Sequence, residues 1–181
     1  MMPADQAWKI LESADLLCDE REVRATIERI GTEITAKLKD RYPLVLAVMG
    51  GSVFFAGHLL PLLRFPLEFD YLHASRYGDA TSGGQIVWKV EPGENVRDRT
   101  VLVLDDILDG GETLAAIRDR ILRRGAAACY SAVLTDKDIG RKKPVVADFV
   151  GLKLPNRYVF GCGMDVSGAW RNLPAIYAVK D

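Results

Sequence analysis

Val101-Leu102-Val103-Leu104-Asp105-Asp106-Ile107-Leu108-Asp109-Gly110-Gly111-Glu112-Thr113-Leu114 decides the fold of this chain. Four consecutive apolar residues read as a strand buried on both faces. The strand end delivers carboxylates at 105, 106 and 109, and two glycines and a threonine lead into a helix. At that helix N-terminus the amides of residues 110 to 113 can donate to a phosphate, Thr113 adds a hydroxyl, and the glycines let a ligand approach the backbone. Asp105 and Asp106 suit the vicinal hydroxyls of a sugar and the coordination shell of magnesium. Asp109, one turn on, reaches toward the reacting centre. The plainer alternative makes Asp109 an N-cap and the glycines a tight turn. A cap accounts for one carboxylate, but not for two more at the end of a buried strand, where unpaired carboxylates are costly. No G-x-x-x-x-G-K-[ST] occurs, so the turn is not a P-loop.

Working outward, residues 3 to 41 read as helix in two pieces broken near Cys18–Asp19, and Val23, Ile27, Ile30, Ile34 and Leu38 form one apolar stripe. Strands are expected at 44–49, 67–72, 85–90, 100–104, 127–134 and 148–152, with a short one at 158–160. Helices are expected at 53–63 and after the acidic turn, where Leu114, Ile117, Ile121 and Leu122 share a face and Gly125 ends the run. Residues 75–84 read as a polar, glycine-containing loop. Strands alternating with helices imply α/β: one domain, a mostly parallel sheet flanked by helices, with ligands beyond the carboxyl ends of the strands.

Composition narrows the function. The 181 residues suffice for one domain with a sizeable core. The formal net charge of −1 argues against a general nucleic-acid or membrane surface, so an anionic ligand must be held by local geometry. No apolar run approaches the roughly 20 residues that span a bilayer. The N-terminal Met1-Met2-Pro3-Ala4-Asp5 shows no targeting pattern, and Cys18, Cys129 and Cys162 are sparse and odd in number. The expectation is a soluble cytoplasmic protein with reduced, mostly buried thiols.

Other clusters are weak singly. Gly50-Gly51-Ser52 is a second glycine turn between strand and helix, an ordinary turn alone but a pyrophosphate loop beside the acidic segment. Tyr158 to Asp165 sets an aromatic ring and glycines before a carboxylate, a pattern suited to a flat heterocycle beside a metal ligand. Lys137 alone would be a solvated surface lysine, His58 and His73 structural, and Arg141-Lys142-Lys143 a solvated basic loop.

The acidic segment resembles the phosphoribosyl-diphosphate signature of the type I phosphoribosyltransferases, and the order of clusters over roughly residues 25 to 179 resembles their hypoxanthine-guanine members. Leu46 to Phe55 is similar to that family's first active-site loop, Ser75-Arg76-Tyr77-Gly78 to the start of its lid, and Leu134-Thr135-Asp136-Lys137 to its purine-contacting segment. Tyr158 to Asp165 with Trp170-Arg171-Asn172-Leu173-Pro174 is similar to its C-terminal hood. The resemblance implies the type I phosphoribosyltransferase fold, with a core near 25–155 and a small hood near 156–181, to which an N-terminal contribution is an expectation. It implies transfer of the phosphoribosyl group of phosphoribosyl diphosphate to hypoxanthine or guanine, with Mg2+, in a homo-oligomer (dimer or tetramer). Asp105 and Asp106 are then expected at the ribose and a magnesium, with Asp109 the general base. Gly110, Gly111, Glu112 and Thr113 are expected at the 5′-phosphate. Lys137, Tyr158 and the Val159 backbone are expected at the purine, and Asp165 at a second magnesium. Gly50, Gly51 and Arg171 hold the pyrophosphate in this scheme, and Tyr77 closes over it.

The chain departs from the family pattern at Gly50, where a lysine or arginine is common. Arg76 precedes Tyr77 where serine is common and is expected to restore that cation. Asp105 replaces a glutamate, and Glu112 a lysine or other polar residue. A xanthine-preferring relative and a nucleotide-sensing regulator remain the alternatives. A regulator should show a basic face and lose the catalytic carboxylate, and this chain keeps Asp109, Lys137 and Asp165.

Overall fold

A computed structural model of the chain describes residues 2–77 and 85–180. Its elements run α1 (Ala4–Ser13), β1 (Asp15–Cys18), α2 (Glu20–Leu38), β2 (Leu44–Val48) and α3 (Val53–Leu59), the last continued by a 3₁₀ turn at Leu60–Leu62. Then come β3 (Glu68–Tyr77), β4 (Gln85–Val90), β5 (Thr100–Leu108), α4 (Glu112–Arg123), β6 (Ala128–Lys137), β7 (Phe149–Leu154), β8 (Val159–Phe160) and β9 (Ile176–Ala178).

Six strands form one sheet in the order β4-β3-β2-β5-β6-β7, and every neighbouring pair is parallel except β3 with β4. β2 and β5 sit at its centre; β2 is apolar throughout and β5 is apolar from Val101 to Leu104, as strands covered on both faces must be. One face carries α2 and α3. The α2 stripe Val23, Ile27, Ile30, Ile34 and Leu38 is fully buried there against Val45, Ala47, Leu102 and Leu104. The other face carries α4, with Leu114, Ile117 and Ile121 against Leu44, Leu46, Val101 and Val103. Leu122, expected on that apolar face, is instead 44% exposed, because the stripe at 114, 117 and 121 already fills the contact.

A second sheet, β1-β9-β8, is antiparallel and draws on both ends of the chain. Its residues Cys18, Val159, Ile176 and Ala178 belong to the same buried cluster as the α2 stripe, so this hood shares the core of the main sheet. Three expectations are corrected. The break expected near Cys18–Asp19 holds a strand, because Asp15 and Leu16 pair with Ala178 and Tyr177. β5 runs four residues past Leu104, because its parallel pairing with β6 continues to Leu108↔Asp136. Ser75 to Tyr77, expected as loop, extend β3 by pairing with Val87 to Gln85; the rest of that stretch, 78–84, lies outside the described residues.

Candidate active site

The parallel strands β2, β5 and β6 all end at one edge of the sheet, and the chemistry-bearing residues collect there. Asp105 and Asp106 stand on β5 itself. Thr135 on β6, fully buried, donates its hydroxyl to the Asp106 carbonyl at 3.0 Å and pins the strand end. The Asp106 amide donates to Asp105 Oδ1 at 3.0 Å. Burial pushes the Asp105 carboxyl well above the usual carboxylate range, and the neighbouring Asp106 charge adds to it. Burial also raises Asp106, partly offset by its hydrogen bond with Asp105 and the Arg171 guanidinium.

Past β5 the chain turns through Asp109 and Gly110 into Gly111, which caps α4 with φ 92°, a conformation that glycine tolerates and other residues avoid. The cap uses no side chain, so Asp109 is not the helix cap. Asp109 is instead 55% exposed and ion-paired at 2.8 Å with Lys137, whose side chain is 11% exposed at the end of β6. Lys137 is thus a strand residue turned inward rather than a solvated one.

After β2, Met49–Gly50 is a cis peptide bond. Gly50 is exposed with open space where a Cβ would stand, whereas a Cβ on Gly51 would collide with the Asp106 carboxylate. From the hood, Gly163 at φ 104° lays its backbone against the Gly51 carbonyl. The Arg171 Nη1 donates to the Gly163 carbonyl at 2.6 Å, while its other nitrogen pairs with Asp165 Oδ1. Asp165 Oδ2 accepts from the Gly168 amide at 2.6 Å. Tyr158 is 57% exposed at the rim, and Val159 is buried in β8.

These residues line two adjoining cavities. The larger, about 670 Å³, has Gly50, Gly51, Asp105, Asp106, Asp109 and the 110–113 turn in its wall, with Arg171 at one side. The smaller, about 220 Å³, is walled by Asp109, Lys137, Tyr158, Val159, Asp165 and Arg171. Asp106, Ile107, Asp109 and Arg171 are common to both. Every site residue expected from sequence lines one of the two, save Arg76 and Tyr77. Their backbone ends β3, and their side chains lie outside the described residues. Sequence reasoning missed His73, Ser75, Arg141 and Asn156 in the larger cavity and Met164 in the smaller. Of these, Arg141 alone carried a signal, since a basic run can attract an anion; His73 sits where the pairing of β3 with β4 is irregular, which simple alternation does not foretell.

Among the described residues no three or more His, Cys, Asp or Glu converge on a point. The acidic pair nonetheless fits a divalent cation of the magnesium kind: two buried carboxyls, both pushed up by burial, gain from a positive charge held mainly by phosphate and water ligands. Asp165 fits less directly, since both of its oxygens already have partners.

Residues 15–167 match the family model described as the phosphoribosyl transferase domain, and the chain belongs to that family. The hypoxanthine-guanine phosphoribosyltransferase of Bacillus subtilis is 33% identical over 166 residues, 91% of this chain and 92% of the relative. The bifunctional protein TilS/HprT of Listeria innocua is 37% identical over 91% of this chain, which spans 26% of that longer protein. A crystal structure of the hypoxanthine phosphoribosyltransferase of Staphylococcus aureus superposes with a TM-score of 0.87 at 25% identity, covering 99% of this chain and 97% of that one. Within the family the chain therefore falls among the hypoxanthine-guanine phosphoribosyltransferases.

Proposed function

We propose that this protein is a purine-salvage enzyme that transfers the 5-phosphoribosyl group of phosphoribosyl diphosphate to hypoxanthine or guanine, giving the nucleoside 5′-monophosphate and pyrophosphate. The observation that carries the reading is the pair of adjoining cavities with Asp109 between them. The larger offers helix-terminal amides for the 5′-phosphate and carboxylates for the ribose hydroxyls. The smaller sets a lysine and an aromatic ring around space for a flat base.

In the reaction so read, purine N9 attacks ribose C1′ as the C1′–O bond to pyrophosphate breaks, and the leaving oxygen keeps the electron pair. The purine loses its N7 proton to Asp109, a carboxylate placed for general base catalysis. Lys137 donates to the 6-oxo group, the neighbouring corner of the same purine edge. Asp109 and Lys137 pair with each other, so an entering base must part them. Tyr158 stacks on the ring, and the Val159 backbone reads its far edge. Gly50, Gly51 and Arg171 hold the pyrophosphate. Magnesium, when bound with the diphosphate, neutralises charge on the leaving group, and Asp105, Asp106 and Asp165 are the side chains that would hold it.

Core sheet and hood act in this reading as one unit, since the hood supplies Tyr158, Val159, Asp165 and Arg171. The three cysteines are free and buried, and burial lifts their thiols to about 11, 11 and 12, inert values that fit a reducing cytoplasm. Among the described residues no helix is long and apolar enough to cross a membrane. Phe69, Tyr71 and Val87 lie exposed on neighbouring strands of the main sheet, which supports a homo-oligomer.

The test is turnover of phosphoribosyl diphosphate with hypoxanthine, guanine, xanthine and adenine in parallel, with and without magnesium, alongside Asp109→Asn. Nucleotide is expected from hypoxanthine and guanine, with magnesium, and about a hundredfold less from the variant. Turnover of xanthine in preference would move the reading to the xanthine-preferring relative. Diphosphate binding without turnover of any base would leave the regulator.

A further inference from the structure

Lys143 belongs to a basic run read from sequence as a solvated loop, yet its side chain is only 11% exposed. Its ammonium donates to the Leu108 carbonyl, the Lys137 carbonyl and Asp136 Oδ1, each at 2.6 Å. An ammonium has three donors, and all three are used. The two carbonyls are not arbitrary. β5 and β6 stop pairing with each other at Leu108↔Asp136, and although Lys137 still pairs with Leu154 on β7, no strand bond beyond that point ties the β5 end to the β6 end. The Leu108 carbonyl belongs to the peptide that leads into Asp109, and the Lys137 carbonyl to Lys137 itself. Lys143 therefore clips together, from behind, the two backbone segments whose side chains meet in front at 2.8 Å.

Charge pairing alone does not account for this placement. Asp136 is held below the usual carboxylate range, burial being outweighed by hydrogen bonds from Lys143 and Lys153. Lys153 also pairs with it directly, so the aspartate already has a cation. The charge of Lys143 is directed at two main-chain oxygens, where an ammonium is stronger than a neutral donor. The same segment is seated under the phosphate turn: a Cβ added to Gly111 would stand 3.2 Å from Pro144 Cδ and 3.3 Å from Lys143 Cβ.

We infer that Lys143 is a positioning residue that sets the spacing between Asp109 and Lys137, and so the fit of the purine edge between them. The inference rests on the purine-salvage reading above and deepens it. It places the control of base recognition in a side chain that does not itself touch the base. Small displacements matter in such a constellation, where about 1 Å of misplacement can cost about a hundredfold in rate.

The test is steady-state kinetics of Lys143→Met, which keeps the stem packed against Gly111 and removes only the ammonium. For hypoxanthine the expected result is a KM raised by about tenfold and a kcat lowered by about tenfold or more, with the KM for phosphoribosyl diphosphate within about twofold of wild type. Lys143→Gln, which keeps an amide donor, is expected to fall between the two, and it serves as the measured variant if Lys143→Met does not fold. Thermal melting runs alongside. Purine parameters equal to wild type in a folded variant would overturn the inference. So would equal increases in both KM values with a collapsed melting temperature, the mark of a purely structural lysine. A wild-type protein that turns over no 6-oxopurine would instead sink the functional reading, and the inference with it. An active wild type with an indifferent variant sinks the role of Lys143 alone.

Discussion

Asp105 shows at the scale of one residue how a site opposes the fold that carries it. In the unfolded chain its carboxyl ionises near 3.8, and in the folded protein burial and the Asp106 charge hold it well above that. A raised carboxyl favours the folded state fully below the unfolded value, and that contribution is lost as pH rises through the folded value. At neutral pH the acidic pair is thus a stability cost, retained for what it binds. Replacing Asp105 with asparagine keeps the acceptor for the Asp106 amide and removes the titration. Asp105→Asn is expected to raise the melting temperature of the ligand-free protein at pH 7 to 8, with the gain shrinking toward pH 4. Turnover should fall. Melting curves across that range check it, and an equal gain at every pH would assign the effect to something other than ionisation.

Among the elements, the hood loop and the glycine turn after β2 depend on one close approach. Gly163 has φ 104°, and a Cβ there would strike the Gly51 carbonyl, whereas Gly168, at φ 87°, faces open space. Both pay the left-handed strain of about 1–2 kcal/mol when changed to alanine. Only Gly163→Ala adds an overpacking cost of about 1–3 kcal/mol. Gly163→Ala is therefore expected to lower the melting temperature by more than Gly168→Ala and to raise the KM for phosphoribosyl diphosphate, which Gly168→Ala should leave closer to wild type. Equal effects of the two would remove the hood–turn contact from the account.

The same elements show what was legible. The α2 stripe and the β5 acidic turn could be read because their signals are local: a 3.6-residue repeat, and an apolar run ending in carboxylates and glycines. β1 could not. Asp15-Leu16-Leu17-Cys18 lies between two helices and becomes a strand only by pairing with Ile176 to Ala178 at the far end of the chain. Lys143 was misread for the same reason, since its acceptors Leu108, Asp136 and Lys137 come from other elements. The functional carboxylates on β5, by contrast, were visible from sequence because a buried strand has few other reasons to end in them.

At the scale of the whole molecule, the sheet brings three strand ends to one edge and the hood closes against them, sharing the α2 core. The division of labour follows: the main sheet presents the phosphate turn, the acidic pair and the Asp109–Lys137 pair, and the hood presents the aromatic rim and Arg171. A net charge of −1 leaves attraction of an anionic substrate to this one edge. The most direct measurement is a crystal structure of the protein with the product inosine 5′-monophosphate. The phosphate is expected on the amides of residues 110 to 113, the 6-oxo group on Lys137 Nζ, and Lys137 drawn away from Asp109. A nucleotide bound elsewhere, or bound here with the Lys137–Asp109 pair still closed, would contradict this expectation.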